Sequence, residues 1–96
     1  MVWEDMKDNH YLAYIRSQPC LITGRTPSTP HHTVTRGAGG SDYLTVPLTE
    51  PYHTDLNQGV HGIGRETFQE RHNIDFKDEI IRLLIGYIRG NHENKQ

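Results

Sequence analysis

Four of the seven histidines fall in two short stretches of the chain, and their spacing indicates a chemical site. His31 and His32 are adjacent, whereas His53 and His61 lie eight residues apart. A glycine-rich connection between the two stretches ends in a carboxylate, Asp42. Imidazole is the commonest transition-metal ligand and titrates near neutral pH, so it also serves as a base. The set therefore predicts a site that holds one cation and activates one water molecule.

Each of these residues also has an ordinary structural role to set against the functional one. Successive strand residues point to opposite faces, so His31 and His32 separate unless their strand begins irregularly. An aspartate after Gly-Gly-Ser is by default a turn residue that bonds its own backbone. His53 and His61 are too far apart to be a ligand pair on one helix, so they meet only if the chain folds back at residues 57–59.

The length and the cysteine content narrow the class of protein. The chain has 96 residues, the size of one small domain. Its single cysteine, Cys20, excludes an internal disulfide and, with no signal-like N-terminus, predicts a reducing, cytoplasmic setting. No apolar run approaches the roughly 20 residues that span a bilayer. A domain this short has a small free energy of unfolding, and many such domains are stabilised by a metal or a partner subunit.

The charge distribution is uneven. A net charge of -2 argues mildly against a dedicated nucleic-acid binder. Residues 9–41, however, contain three arginines and three histidines but no aspartate or glutamate. Such a basic patch, together with a bound divalent cation, is able to dock a phosphate despite a neutral total. The alternative is chance unevenness in a short chain.

Periodicity and turn residues predict an α+β chain in the order helix, knuckle, hairpin, helix, helix. The predicted elements are a helix over 4–17, a knuckle or short strand over 20–24, strands over 33–36 and 43–47, helices over about 60–72 and 76–89, and a disordered tail over 91–96. Pro47 is expected to break regular structure. The predicted buried face of the last helix comprises Phe76, Ile80, Leu83, Leu84, Tyr87 and Ile88. Gly86 within that helix costs about 1 kcal/mol relative to alanine, which indicates close packing or an early helix end.

In combination these motifs resemble an HNH nuclease of the ββα-metal type, and more narrowly the phage recombination-enhancement (Ref-like) group. The resemblance covers residues 11 to about 75. It is carried by Pro19-Cys20, Gly24, His31-His32, Ser41-Asp42, Val46-Pro47-Leu48, His53 and His61-Gly-x-Gly-x-x-x-Phe68. It implies a single domain over 1–96, with a small treble-clef-like core over about 19–73. The N-terminal and C-terminal helices would pack around a short antiparallel hairpin.

The resemblance implies a metal-dependent endonuclease that hydrolyses DNA phosphodiester bonds, in phage or prophage recombination, repair or DNA processing. It assigns the metal to His31, His53 and His61. It assigns the general base to His32, and it gives Asp42 the role of orienting that base or supporting the metal site.

The implied cofactor is one divalent metal ion, with Mg²⁺ or Mn²⁺ expected in turnover and Zn²⁺ or Ni²⁺ as alternatives. The implied partner is DNA. Recombination or phage proteins and a second copy of the chain are further expected partners. Arg36 and Arg65 are candidate phosphate contacts, although an exposed arginine is usually only solvated.

The chain departs from the resembled pattern at its knuckle. Many relatives hold a structural zinc there through four cysteines, but Thr23 and Thr49 stand where two of them would fall, so that site is excluded here. Tyr52 also replaces one histidine of a common pair. The rival hypothesis is therefore a non-catalytic DNA-binding or protein-interaction module that keeps the ββα shape with the metal as a staple. The two hypotheses differ in whether the histidines alter turnover or only stability.

Overall fold

The computed structural model describes residues 6–34 and 40–93, with side chains described as far as Gly90. The elements are α1 (Asn9–Ser17), β1 (Thr29–His32), β2 (Thr45–Leu48), α2 (Val60–Ile63), α3 (Arg65–His72) and α4 (Phe76–Glu93). The strands form one antiparallel pair. The structure thus confirms the predicted α+β class and the antiparallel hairpin between an N-terminal and a C-terminal helix.

Helix α1 begins later than the sequence predicts. Residues 6–8 are not helical, so the predicted start at residue 4 is wrong. Asp8 is the N-cap, and its carboxylate accepts the backbone N–H of Tyr11 at 2.9 Å. Satisfying one of the free N–H groups of the first turn in this way sets where the helix starts. The apolar face of the helix packs into the core, because Tyr11, Leu12 and Ile15 are buried.

The hairpin pairs residues that strand propensity did not favour. Pro30 and Pro47 are register partners within it. The backbone N–H of Thr33 donates to the carbonyl of Leu44 at 2.9 Å. Because hydrogen-bonded and non-hydrogen-bonded pairs alternate, the two prolines face each other at a non-bonded pair, where neither needs an N–H group. The predicted break at Pro47 is therefore wrong. The structure also contradicts the predicted strand bounds, which were 33–36 and 43–47.

The helix predicted over 60–72 is interrupted, and it forms two helices, α2 and α3. Gly64 stands between them with a φ of 90°, a conformation that favours glycine. Asn73 ends α3 in the left-handed conformation with a φ of 53°.

Helix α4 starts where predicted but ends later. The carboxylate of Asp75 accepts the backbone N–H groups of Lys77 and Asp78 at 2.8 and 3.4 Å, which caps the first turn. The helix continues to Glu93, so the predicted end at 89 and the predicted disorder of 91–93 are wrong. Residues 94–96 lie outside the described residues. Ile88, predicted to be buried, is 64% exposed.

The hairpin lies at the centre of the core. All four residues of β2 are buried. Around them pack the apolar side chains of the helices, and the fully buried ones are Tyr11, Ile15, Phe68 and Leu83. This packing fixes the position of β1, whose last two residues are His31 and His32.

Gly86 allows the close approach of α1 and α4. A Cβ atom at this position would lie 2.8 Å from the Tyr14 hydroxyl. That hydroxyl donates a hydrogen bond to the carbonyl of Leu83 at 2.8 Å. The close packing predicted for Gly86 is therefore confirmed. A Cβ atom at Gly90, in the same helix, would meet nothing within 4 Å.

These two glycines form a matched pair for mutation. We expect Gly90→Ala to raise the free energy of unfolding by up to about 1 kcal/mol through helix propensity. Gly86→Ala gives no such gain, because the new methyl group displaces the Tyr14 hydroxyl from Leu83. Urea denaturation followed by circular dichroism measures both variants. Equal stabilisation by the two substitutions would show that Tyr14 does not restrict Gly86.

Candidate active site

Three histidine rings converge beside the hairpin. His31 comes from β1, His53 from the turn after β2, and His61 from α2. One ring nitrogen from each of the three lies within 4.8 Å of the others. The closest pair is Nε2 of His53 and Nε2 of His61, at 3.1 Å. The structure thus brings together the three histidines that the resemblance assigns to a metal.

The loop that joins His53 to His61 folds back on itself, as the sequence required for them to meet. The backbone N–H of His61 donates to the carbonyl of His53 at 3.1 Å. Gly62 sits against this loop, and a Cβ atom there would overlap the backbone carbonyl oxygens of Asp55 and Leu56. A glycine is therefore needed for α2 to pack closely enough to present His61.

The electrostatic environment keeps the rings of His31 and His53 neutral. Burial lowers the pKa of His31 to about 3, and the neighbouring His53 and His61 contribute to this lowering. Burial and His61 also lower the pKa of His53, although the carboxylate of Glu50 partly opposes them. A neutral imidazole has a lone pair to give to a metal. His31 and His53 are therefore in their metal-binding form at neutral pH.

The donor atoms of the cluster fit a divalent metal ion. The Nε2 atoms of His53 and His61 face each other at 3.1 Å. Two nitrogen ligands at about 2.0–2.1 Å from a tetrahedral zinc ion stand about 3.3–3.4 Å apart, which is close to that separation. Nδ1 of His31 is buried and has no hydrogen-bond partner among the described residues, which is rare for a buried polar atom. The three imidazoles are thus able to bind a metal, and imidazole suits Zn²⁺, Ni²⁺, Cu²⁺ or Fe²⁺.

Glu50 is a neighbour of the cluster that sequence reasoning missed. Its Oε1 lies 3.7 Å from Nδ1 of His53. Its Oε2 accepts hydrogen bonds from the side chain and the backbone N–H of Thr54, at 2.6 and 3.2 Å. The side-chain bond is the main reason that the pKa of Glu50 is lowered. Metal-binding histidines often have a carboxylate on the second ring nitrogen, so the spacing Glu50-x-x-His53 was an available signal.

His32 is turned toward a different partner, a buried carboxylate. Its Nε2 lies 2.8 Å from Oδ1 of Asp42, which is only 2% exposed. Because the carboxylate accepts this hydrogen bond, the proton of neutral His32 is on Nε2 and the lone pair is on Nδ1. Asp42 therefore holds an imidazole in one tautomer and one orientation.

Asp42 is itself held by the start of α1. The backbone N–H of Asp8 donates to Oδ2 of Asp42 at 2.8 Å. The hydroxyl of Tyr43 donates to the carboxylate of Asp8 at 2.6 Å, and this bond is the largest cause that raises the pKa of Tyr43 to about 12. Asp8 and Tyr43 are distant in sequence from His32, so no local pattern could link them to it.

A cleft of about 380 Å³ opens beside both histidine groups. His31 and His32 have different partners, as strand alternation predicts, yet both line this cleft. Arg65 also lines it, and its Nη1 donates to the carbonyl of Thr33 at 2.7 Å. Arg65 thus stands at the wall of the histidine cleft. Arg36, the other predicted phosphate contact, lies outside the described residues.

The knuckle is held by hydrogen bonds at the position where the resembled nucleases often bind zinc. Sγ of Cys20 accepts the backbone N–H groups of Thr49 and Ile22 at 3.3 and 3.4 Å. The hydroxyl oxygens of Thr23 and Thr49 lie 3.2 Å apart. Burial raises the pKa of the Cys20 thiol, but the hydrogen bonds outweigh burial and lower it to about 7. Cys20 is buried, and it is also a hydrogen-bond acceptor that connects the knuckle to the residue that follows β2.

Comparison with known proteins identifies the family. A family described as proteins of unknown function, DUF968, matches residues 3–77. The chain belongs to the DUF968 family. It is also similar to the uncharacterized protein YdfU of Escherichia coli strain K12, with 31% identity over 52 residues. That match covers 49% of this chain but only 15% of YdfU. No solved structure matches the chain.

The DUF968 match includes every histidine of the cleft and ends at the start of α4.

Within the described residues, no helix is long and apolar enough to cross a membrane.

The neutral, buried His31 predicts loss of stability in mild acid. Its pKa is about 3 in the folded chain, against an ordinary value of 6.5, so the unfolded chain binds more protons below pH 6.5 and stability falls as the pH falls. Between pH 7 and pH 5 we expect His31 alone to account for about 2 kcal/mol of free energy of unfolding. The lowered carboxyl pKa values of Asp8 and Glu50 act below this window.

Urea denaturation of the metal-free chain at several pH values measures this effect. His31→Gln should flatten the dependence on pH. His10→Gln is the matched control, because His10 is exposed on α1 and is not among the residues that line the cleft. A pH dependence unchanged by His31→Gln would contradict the assignment.

The cluster also predicts metal-dependent stability. Binding to the folded chain alone adds about 2.7 kcal/mol at a free metal concentration 100 times Kd, so Zn²⁺ or Ni²⁺ should raise the melting temperature and EDTA should reverse the rise. His61 is exposed, so we expect His61→Ala to fold yet to lose most of this stabilisation. His10→Ala should respond as the wild type does. An undiminished rise in His61→Ala would exclude the cluster as the binding site.

Proposed function

We propose that this chain is an HNH-type, metal-dependent endonuclease that hydrolyses phosphodiester bonds of DNA. One arrangement carries the proposal. His32, oriented by the buried Asp42, opens on the same cleft as two rings of the three-histidine cluster. A base and a metal site that share one cleft are able to support metal-dependent hydrolysis of a phosphodiester.

The element order supports the nuclease fold proposed here. The chain runs from β1 through β2 into α2 and α3, which is a ββα order. One metal-binding histidine comes from the first strand, and another lies in the short helix that opens the α segment. Both features are those of the ββα-metal nucleases that the sequence resembles.

His32 is proposed as the general base. Asp42 accepts a hydrogen bond from the protonated Nε2 of the neutral ring, so Nδ1 has the lone pair that can accept a proton from water. The buried carboxylate then stabilises the imidazolium that forms. Since the network of Asp8 and Tyr43 fixes Asp42, the ring does not need to reorient during the reaction.

His31, His53 and His61 would hold the divalent ion. When bound, it supplies Lewis-acid stabilisation of the charge that develops on the phosphate and the leaving oxygen. Arg65 supplies a fixed positive charge at the wall of the same cleft, where it would orient a phosphate. Such a substrate is consistent with the excess of basic residues over 9–41.

The alternative function is that of a DNA-binding or protein-interaction module in which the metal only stabilises the fold. One observation favours it, because His31 is just 8% exposed and its ring lies 5.9 Å from that of Phe76 in the core. A metal at such a ligand contributes to stability whether or not it takes part in chemistry. A measurement of turnover is therefore needed to distinguish the two functions.

Plasmid cleavage tests the proposal. Purified protein is incubated with supercoiled plasmid and Mg²⁺, Mn²⁺, Ni²⁺ or Zn²⁺, and EDTA should stop the reaction. A general base contributes about 10²–10⁴ to a rate, so His32→Ala should lose at least about a hundredfold. Asp42→Asn should also lose activity, because an amide can donate to Nε2 and thereby favour the wrong tautomer.

Thermal melts of each sample show whether the variants are folded, and His10→Ala serves as the matched histidine control. If folded His32→Ala cuts as well as the wild type with every metal, the nuclease proposal is wrong. If metal still raises the melting temperature in that case, the chain is better described as a non-catalytic module whose fold is stabilised by the metal.

A further inference from the structure

A second and larger groove adjoins the histidine cleft. Its volume is about 560 Å³, within the roughly 300–1,000 Å³ of small-molecule sites. Its walls are mostly apolar and come from the hairpin end and from α4. The apolar residues that line it are Val34, Leu44, Phe76, Ile80, Ile81 and Leu84.

The groove and the histidine cleft are continuous. Thr33, Val34 and Arg65 line both of them. The hydrogen bond from Arg65 to the carbonyl of Thr33, at 2.7 Å, holds the guanidinium at their junction. A ligand whose charged group lies against Arg65 therefore has an apolar surface available on the side away from the histidines.

Most polar groups of the groove already make hydrogen bonds that stabilise the fold. The carboxylate of Asp75 caps α4 through Lys77 and Asp78. The amide of Gln69 accepts the backbone N–H of Phe76 at 2.7 Å and donates to a backbone carbonyl at 3.1 Å. Two cationic side chains remain along the lining, Arg65 and the exposed Lys77.

An apolar floor with cations at its edge matches one part of a nucleic acid. A nucleotide offers a flat, weakly polar base attached to an anionic backbone, and single-strand binding sites pair apolar contact to the bases with positive charge along the backbone. A base in a duplex is stacked and paired, so it cannot enter a groove in this way. The occupant must be an unpaired nucleotide.

We infer that this groove binds the base of an unpaired nucleotide next to the phosphate held in the histidine cleft. The inference builds on the proposed function and names its substrate class as DNA with a single-stranded segment at the site of cleavage. Ile81 would contact the base, while Arg65 contacts the adjoining phosphate.

Helix α4 provides a matched pair of residues for the test. Ile81 lines the groove and is 51% exposed, whereas Ile85, one turn later, is 49% exposed and is not part of the lining. Either isoleucine can be replaced by glutamine with little effect on the core. Fluorescence anisotropy in EDTA, which prevents cleavage, compares three probes. They are a labelled ten-nucleotide thymidine strand, a strand of the same length with abasic sites at its centre, and a ten-base-pair duplex.

The wild type should bind the thymidine strand more tightly than the abasic strand or the duplex. Loss of one half-buried isoleucine contact corresponds to about a fivefold weaker Kd for the thymidine strand in Ile81→Gln. Binding of the abasic strand should not change, because it offers no base to the groove. Ile85→Gln should bind all three probes as the wild type does. An RNA strand of the same length shows whether the sugar is distinguished.

Equal Kd values for Ile81→Gln and Ile85→Gln, or equal wild-type affinity for the thymidine and abasic strands, would overturn the inference. Its failure is separable from that of the proposed function. If cleavage depends on His32 but is unaffected by substitution of Ile81, the nuclease proposal is supported and the base-binding site is excluded. If binding depends on the base but no cleavage occurs, the base-binding site is supported and the nuclease proposal is excluded.

Discussion

The convergence of three imidazoles beside one strand is the constraint on which the rest of this structure depends. Two of the rings face each other at 3.1 Å, and the third is buried with a ring nitrogen that has no partner among the described residues. Such a cluster is unfavourable in acid, since protonating the buried His31 places a charge in a poorly solvated place and protonating more than one ring places like charges close together. It is favoured when a cation takes the shared lone pairs. The closely packed loop between His53 and His61, with Gly62 against its backbone, keeps the rings together.

A second set of interactions separates His32 from its neighbour His31. The alternation of the strand turns one ring into the cluster and the other toward Asp42. The carboxylate is buried, and donors from two parts of the chain, Asp8 and His32, satisfy it. Its hydrogen bonds therefore fix a tautomer as well as a position. Two adjacent residues of the same type thus acquire different chemistry from their surroundings alone.

The small size of the domain explains why polar contacts do so much of the positioning. Where the resembled nucleases often have cysteines on a zinc ion, the knuckle here is joined to β2 by hydrogen bonds to Cys20. The long α4 closes the other side of the hairpin and approaches α1 at Gly86. Hydrogen bonds and a close helix contact thereby hold the strand that supplies His31 and His32.

Local chemistry determined the residue types of the candidate site, the existence of the hairpin and the helix ends at Asn73 and Asp75, because each depends on neighbours along the chain. The strand bounds were not predictable, since Pro30 and Pro47 are acceptable only where they face each other at a non-bonded pair. Glu50 could have been found from its spacing to His53, but the link from Tyr43 through Asp8 and Asp42 to His32 could not. Tertiary packing alone decided which imidazoles converge and which one faces a carboxylate, because those distances join residues that only the folded core brings together.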